Sequence, residues 1–212
     1  MSSKQAQKAI KVYGNLLGMI KARLSLVDDA VDGKIPLPPK IVEEFSYLQL
    51  RMACESIALG CLTIHGDMLS DKLKNIQGAY EGGKIISHLE KLHSDFYPIP
   101  FTEQIQPSGL KHLGEITQPY LTKNDLKKLI GICGDKLHMG SISKLLKDNK
   151  EDNSLLLDIR VWSDKIHHLI NRHQFRLFDK KTIYVCKMVG GLYGYKAEII
   201  LAESYHKYHP SI

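Results

Sequence analysis

No segment of the chain approaches the roughly 20 uncharged, apolar residues needed to cross a bilayer, so no membrane span is expected. The first residues, MSSKQAQKAIKVYG, lack the apolar stretch of a secretory signal. Cysteine is scarce. Cys54, Cys61, Cys133 and Cys186 lie in apolar stretches with no CxxC spacing, so they read as reduced core thiols and point to the cytoplasm. There is no P-loop, dinucleotide-binding glycine fingerprint, GxSxG or HExxH, and no internal repeat or low-complexity tract. Disulfide scaffolds, repeat arrays and the common motif-bearing enzymes are thereby set aside.

What is present is an ordinary globular composition. The 212 residues are 43% apolar and 25% charged, enough for a packed core. The net charge of +6 permits an acidic partner such as nucleic acid without demanding one, because helical proteins often carry such an excess on a solvated face.

Ile10, Tyr13, Leu17, Ile20, Leu24 and Val27 recur at steps of three and four, predicting a first helix over residues 4–31. DGKIPLPPK ends it, and Pro39 suits the first position of the next helix. That second helix, about 39–65, has Ile41, Phe45, Leu48, Met52, Leu59 and Leu62 as its expected stripe. From Leu48 to Ile64 its other faces are nearly as apolar, as expected of a helix in the middle of a bundle. Two charges interrupt this run, Arg51 and Glu55. Glu55 falls within about 40° of the stripe's centre, with Arg51 one turn earlier as its expected partner. The pair reads either as a structural lock on register or as part of a site.

Ser70 can cap a third helix containing Leu73 and Ile76, and helix resumes through Ile85, Ile86, Leu89 and Leu92. The proline-rich segment 93–120 is too long for a plain connection and reads as a lid, a binding loop or a cover. Phe96, Tyr97 and Phe101 favour a packed cover. Thr122 and Asp125 predict a capping box opening a helix whose core stripe is Leu126, Leu129, Ile130, Cys133 and Leu137. Gly131, Gly134 and His138 share a neighbouring face. Two glycines weaken the helix by up to about 1 kcal/mol each and open a groove beside His138, for another backbone or for a ligand. His138 is also placed to cap the last carbonyls.

A polar connector, 140–154, precedes a helix over about 154–173 with Leu155, Ile159, Trp162, Ile166, Leu169 and His173 on one stripe. On it His167 and His168 point apart. QFRLF, TIYVCKMV and YKAEIILAE then read as three antiparallel strands separated by DKK and GGLYG. The expected fold is mainly α: a four- to five-helix bundle over 1–150, then a helix with a small C-terminal three-stranded antiparallel β-meander over 151–212, packed on the bundle (α+β).

Cys61 and His65 lie one turn apart with Cys54 below them, and Cys133 and His138 could face them. Structural zinc sites use two tight ligand pairs, and one is present, so neither metal nor cofactor is expected. The strongest candidate nucleic-acid surface comprises Arg160, Lys165, Arg172 and Arg176 with neighbouring His168. A second cluster holds Lys123, Lys127, Lys128 and Lys136. Phosphate binding there would weaken steeply with salt, and the alternative is a solvated face.

A helical bundle ending in CGDKLH, with LRMACESIALGCL and LHSDFYP before it, resembles the HEPN superfamily (higher eukaryotes and prokaryotes nucleotide-binding domains) over about residues 4–140. It is also similar to a bacterial group loosely associated with that fold. The resemblance implies a helical bundle, frequent in bacterial and phage defence or conflict systems and often dimeric. Its active members are metal-independent endoribonucleases with an arginine shortly before a histidine at a helix end. His138 and Asp135 match that flavour, whereas Cys133 stands in the arginine's place. The implied function is a non-catalytic module binding a partner protein or RNA. The alternative is an endoribonuclease with His138 as general base and a cation from Arg51, beside Glu55 and Asp135.

Overall fold

The computed structural model describes residues 3–65, 81–107, 109, 111–138, 154–177, 179, 181–190 and 196–203. Among them the chain is mainly helical, with a small antiparallel sheet. The expected helix around Ser70 to Ile76 and most of the 140–154 connector lie outside the described residues.

Helix α1 (Ser3–Val31) buries the stripe its periodicity predicts: Tyr13, Leu17, Ile20, Leu24 and Val27 are sealed, with Ile10 partly covered. The chain reverses through Gly33, which takes the left-handed φ of 73° that glycine accepts without strain. Pro39 then opens α2 (Pro39–Ile64) at its first turn.

Helix α2 overturns part of the expectation. It packs on α1 and on three further helices, α3 (Gly82–Leu92), α4 (Lys123–Leu137) and α5 (Ser154–Asn171), yet the stripe read from its sequence points the wrong way. Ile41, Leu48 and Leu59 are exposed, and Phe45, Met52 and Leu62 only partly covered. The buried face carries Tyr47, Leu50, Ala53, Cys54, Ile57, Ala58, Cys61 and Ile64. With apolar residues all round, period alone could not select a face. Residue size did, because small side chains let neighbours approach. A Cβ on Gly60 would stand 2.8 Å from the Tyr13 ring of α1.

Helix α3 lies on α2 and α4 through Ile85, Ile86 and Leu89. At α4 the capping box forms in both directions: the Asp125 N–H donates to Thr122 Oγ1 at 3.1 Å, and the Thr122 N–H to Asp125 Oδ2 at 3.2 Å. Leu126, Leu129 and Cys133 are buried, Ile130 and Leu137 partly so.

Only the first part of the 93–120 segment packs as a cover, and from Thr102 to Tyr120 its described residues are exposed or half-buried. Phe96, Tyr97 and Phe101 are buried, and the Tyr97 hydroxyl donates to the Leu121 carbonyl at 3.0 Å. It contributes β1 (Ile99–Pro100) and the hairpin β2 (Thr102–Ile105) and β3 (Lys111–Gly114). The strands β4 (Arg172–Arg176), β5 (Thr182–Val189) and β6 (Lys196–Glu203) follow α5 as antiparallel neighbours. The sheet order is β1-β4-β5-β6, so β1 adds a fourth strand to the expected three. Ile159, Ile166 and Leu169 of α5, with Phe175 and Cys186 of the sheet, join the same apolar core as α1 and α2.

Candidate functional site

Helices α2 and α4 are neighbours, as a site between them requires, and their contacts define an antiparallel register. Lys136 pairs with Glu43 at 3.2 Å and lies over the Tyr47 ring, while Cys133 faces Arg51 and Cys54. Burial pushes the Glu43 carboxyl up, but Lys40 and Lys136 outweigh it and hold it below its ordinary range. His138, two residues beyond Lys136, therefore sits near the N-terminal end of α2. Arg51 is eight residues past Glu43, about 12 Å along the helix. The expected Arg51–Glu55 pair forms at 3.1 Å and is half-buried, with the Glu55 side chain 25% exposed. The pair is thus withdrawn from solvent only in part: it flanks the outer face of α2, on the side where Cys133 of α4 approaches Arg51.

His138 is exposed and serves as the C-cap of α4, its backbone N–H donating to the Gly134 carbonyl at 3.2 Å. Asp135 is exposed beside it. The notch at Gly131 and Gly134 is open: nothing among the described residues comes within 4 Å of a Cβ added at either. Among the described residues no neighbouring backbone approaches these glycines.

The candidate nucleic-acid cations are largely paired with carboxylates. Lys127 bonds Glu90 at 3.0 Å, which Lys123 also holds at 3.0 Å, and Lys136 bonds Glu43. Arg160 bonds Asp32, and Lys165 reaches Asp125 at 3.3 Å while lying over Trp162. Among the described residues Lys128, Arg172 and Arg176 have no carboxylate partner.

Cys54, Cys61, Cys133 and Cys186 are buried, free thiols. Burial pushes Cys133 and Cys186 up to about 12 and raises the other two strongly. Among the described residues no group of three His, Cys, Asp or Glu side chains could hold a metal ion. His65 instead donates from Nε2 to the Phe96 carbonyl at 2.8 Å, with its Nδ1 buried and unpartnered.

One constellation was not anticipated. On α5, Ser163, His167 and Asn171 follow at steps of four and face Lys21 and Asp28, seven apart on α1. Ser163 donates to Asp28 Oδ1 at 2.8 Å and His167 Nε2–H to Asp28 Oδ2 at 3.0 Å. Lys21 donates to His167 Nδ1 at 2.8 Å and to Asn171 Oδ1 at 2.9 Å. Burial pushes the Lys21 amine down, with Asp28 opposing, while the bonds from His167 and Ser163 outweigh burial and hold the Asp28 carboxyl low. The i, i+4, i+8 polar ladder on α5 was the available signal. It opens at Asn171 onto a cleft of about 390 Å³ between the end of α5, β5 and the 93–120 segment.

No protein-family model matches the chain, and no curated protein or solved structure is significantly similar to it. No described helix is long and apolar enough to cross a membrane.

Proposed function

We propose that the chain is a non-catalytic, HEPN-like helical module that works by protein association, pairing with a second copy of itself through the outer face of α2. One observation carries the reading. Ile41, Phe45, Leu48, Met52, Glu55, Leu59 and Leu62 alternate at steps of four and three along that face, the spacing of a helix-pairing seam. Ile41, Leu48 and Leu59 are between 38% and 44% exposed. Val12, Met19 and Leu26 of α1, also exposed, lie seven residues apart on the neighbouring helix.

Charge selects the occupant. Glu55 is the one ionisable residue in the seam, and Arg51 flanks it. In a parallel pairing the two Glu55 side chains would face each other. An antiparallel pairing instead sets Phe45 opposite Leu62, Leu48 opposite Leu59, and Glu55 opposite Met52 and beside Arg51 of the other copy. The face is thus complementary to itself, as a two-fold interface requires. Two helices side by side offer about 30 Å by 20 Å, comparable to the roughly 800 Å² per partner of a standard interface.

The non-catalytic part of the reading rests on the separation of His138 from Arg51 and on the pairing of Arg51 with Glu55. A role in bacterial or phage conflict follows from the resemblance to HEPN proteins.

Light scattering coupled to size exclusion tests the association. The expected mass is twice the 24.0 kDa of one chain, falling to the monomer value in Leu48→Glu with unchanged circular dichroism. A monomeric wild-type protein at tens of micromolar would reject the self-pairing, and a dimer indifferent to Leu48→Glu and Leu59→Glu would reject this face.

A further inference from the structure

The cleft beside Asn171 has features the association reading does not use. Its walls come from three places: Asn171 and His168 at the end of α5, Arg172 opening β4 with Met188 late in β5, and Phe101, Ile116 and Gln118 from the covering segment. That segment thereby acquires a second use, closing one side of a cavity whose size, about 390 Å³, falls in the range of small-ligand sites.

The polar groups at this cleft carry no negative charge among the described residues. The His168 ring donates from Nδ1 to the Pro119 carbonyl at 2.7 Å, which fixes its orientation. Asn171 accepts from Lys21 through Oδ1, so its amide NH₂ is left to donate outward. Lys21 is itself fixed by His167, and His167 by Asp28, so the ladder described above orients Asn171 from behind. Gln118 adds a second amide. The Arg172 guanidinium has no carboxylate partner among the described residues, and no carboxylate lines the cleft. Glu103, two residues past Phe101, is held by Lys187 at 2.6 Å. A guanidinium with no carboxylate partner among the described residues, two amides and a wall of Phe101, Ile116 and Met188 together suit an anionic head on an apolar body.

We propose that this cleft binds a small organic anion: a carboxylate or phosphate monoester carried on a flat apolar body. Arg172 takes two of its oxygens in the fork geometry suited to such groups, Gln118 and Asn171 donate to the same headgroup, and the apolar body lies against Phe101, Ile116 and Met188. Lys21 is a positioning residue, acting through Asn171.

Benzoate and phenyl phosphate are the probes, with benzamide as the neutral isostere and inorganic phosphate as the headgroup alone. Binding is read by calorimetry and by the Met188 methyl resonance in methyl-labelled protein. Both anions are expected to shift Met188 while leaving Met19 and Met52 in place, and to bind at least tenfold more tightly than benzamide. Whichever anion binds the tighter identifies the headgroup. Arg172→Met should weaken the anions tenfold or more, with benzamide unchanged, whereas Lys91→Met, on α3, which lines no part of the cleft, should leave all affinities within twofold. Benzamide binding as tightly as benzoate, or no Met188 shift up to about 10 mM probe, overturns the proposal whether or not any variant folds. Arg172→Met binding phenyl phosphate like the wild type, with an unchanged melt, overturns it equally.

Discussion

Tyr13 and His173 stand 160 residues apart in the chain and 2.6 Å apart in the core, the phenol O–H donating to Nε2 of the imidazole. The other ring nitrogen donates to the Ile170 carbonyl at 3.2 Å, so the tautomer is set. This bond joins α1 to the α5–β4 junction. Its loss in Tyr13→Phe leaves a buried acceptor unpaired, at a cost of about 1–3 kcal/mol. Chemical denaturation of that variant measures it directly.

A pH dependence follows from the same histidine and from His65. Burial lowers both from their ordinary 6.5 to about 4. Below pH 6.5 the unfolded chain takes up protons that the folded chain refuses, so stability present above 6.5 is lost progressively as pH falls toward 4. At pH 5 each group accounts for about 2 kcal/mol, about 4 kcal/mol together. Guanidinium unfolding at pH 7 and pH 5 should show a loss of this order, reduced in His173→Gln. Equal stability at the two values would contradict the burial of both rings.

The glycines of α2 and α4 should respond in opposite senses to alanine. Gly60→Ala drives a methyl into the Tyr13 ring and should destabilise by about 1–3 kcal/mol despite its better helix propensity. Gly131→Ala and Gly134→Ala meet nothing among the described residues and should each stabilise by up to about 1 kcal/mol. Thermal melts of the three variants decide this. Destabilisation at Gly131 would mean that the notch is occupied.

The thiols should be inert in the folded protein. All four are buried with pKa values pushed upward, so a disulfide exchange reagent at pH 8 should label essentially none in native buffer and all four in denaturant.

RNA provides a further check. With most candidate cations bound to carboxylates, short RNA should bind weakly, with a shallow salt dependence, and should survive incubation. Cleavage abolished by His138→Ala would establish the nuclease reading in place of the non-catalytic one.

Much of this protein was legible before any coordinates. Along α1, the unbroken run of large apolar residues at steps of three and four from Tyr13 to Val27 identifies both the helix and its buried face, because the other series, Val12, Met19 and Leu26, is sparser. Thr122 and Asp125 mark the start of α4 for an equally local reason, since a capping box closes within four residues. The i, i+4 pairing of Arg51 with Glu55 is local as well. On α2 the same reasoning chose the outer face, because where every face is apolar the period carries no sign and the size of the partner's side chains decides. The polar ladder from Asp28 to Asn171, the addition of β1 to the sheet and the cleft beneath the covering segment depend on contacts between residues far apart in the chain, 139 positions for His167 and Asp28 and 49 for His168 and Pro119. Local propensity determined which segments become helix or strand. Which faces are buried, and which polar groups meet, was decided only when helices of similar apolarity packed and, among the described residues, left one side of α2 partly exposed.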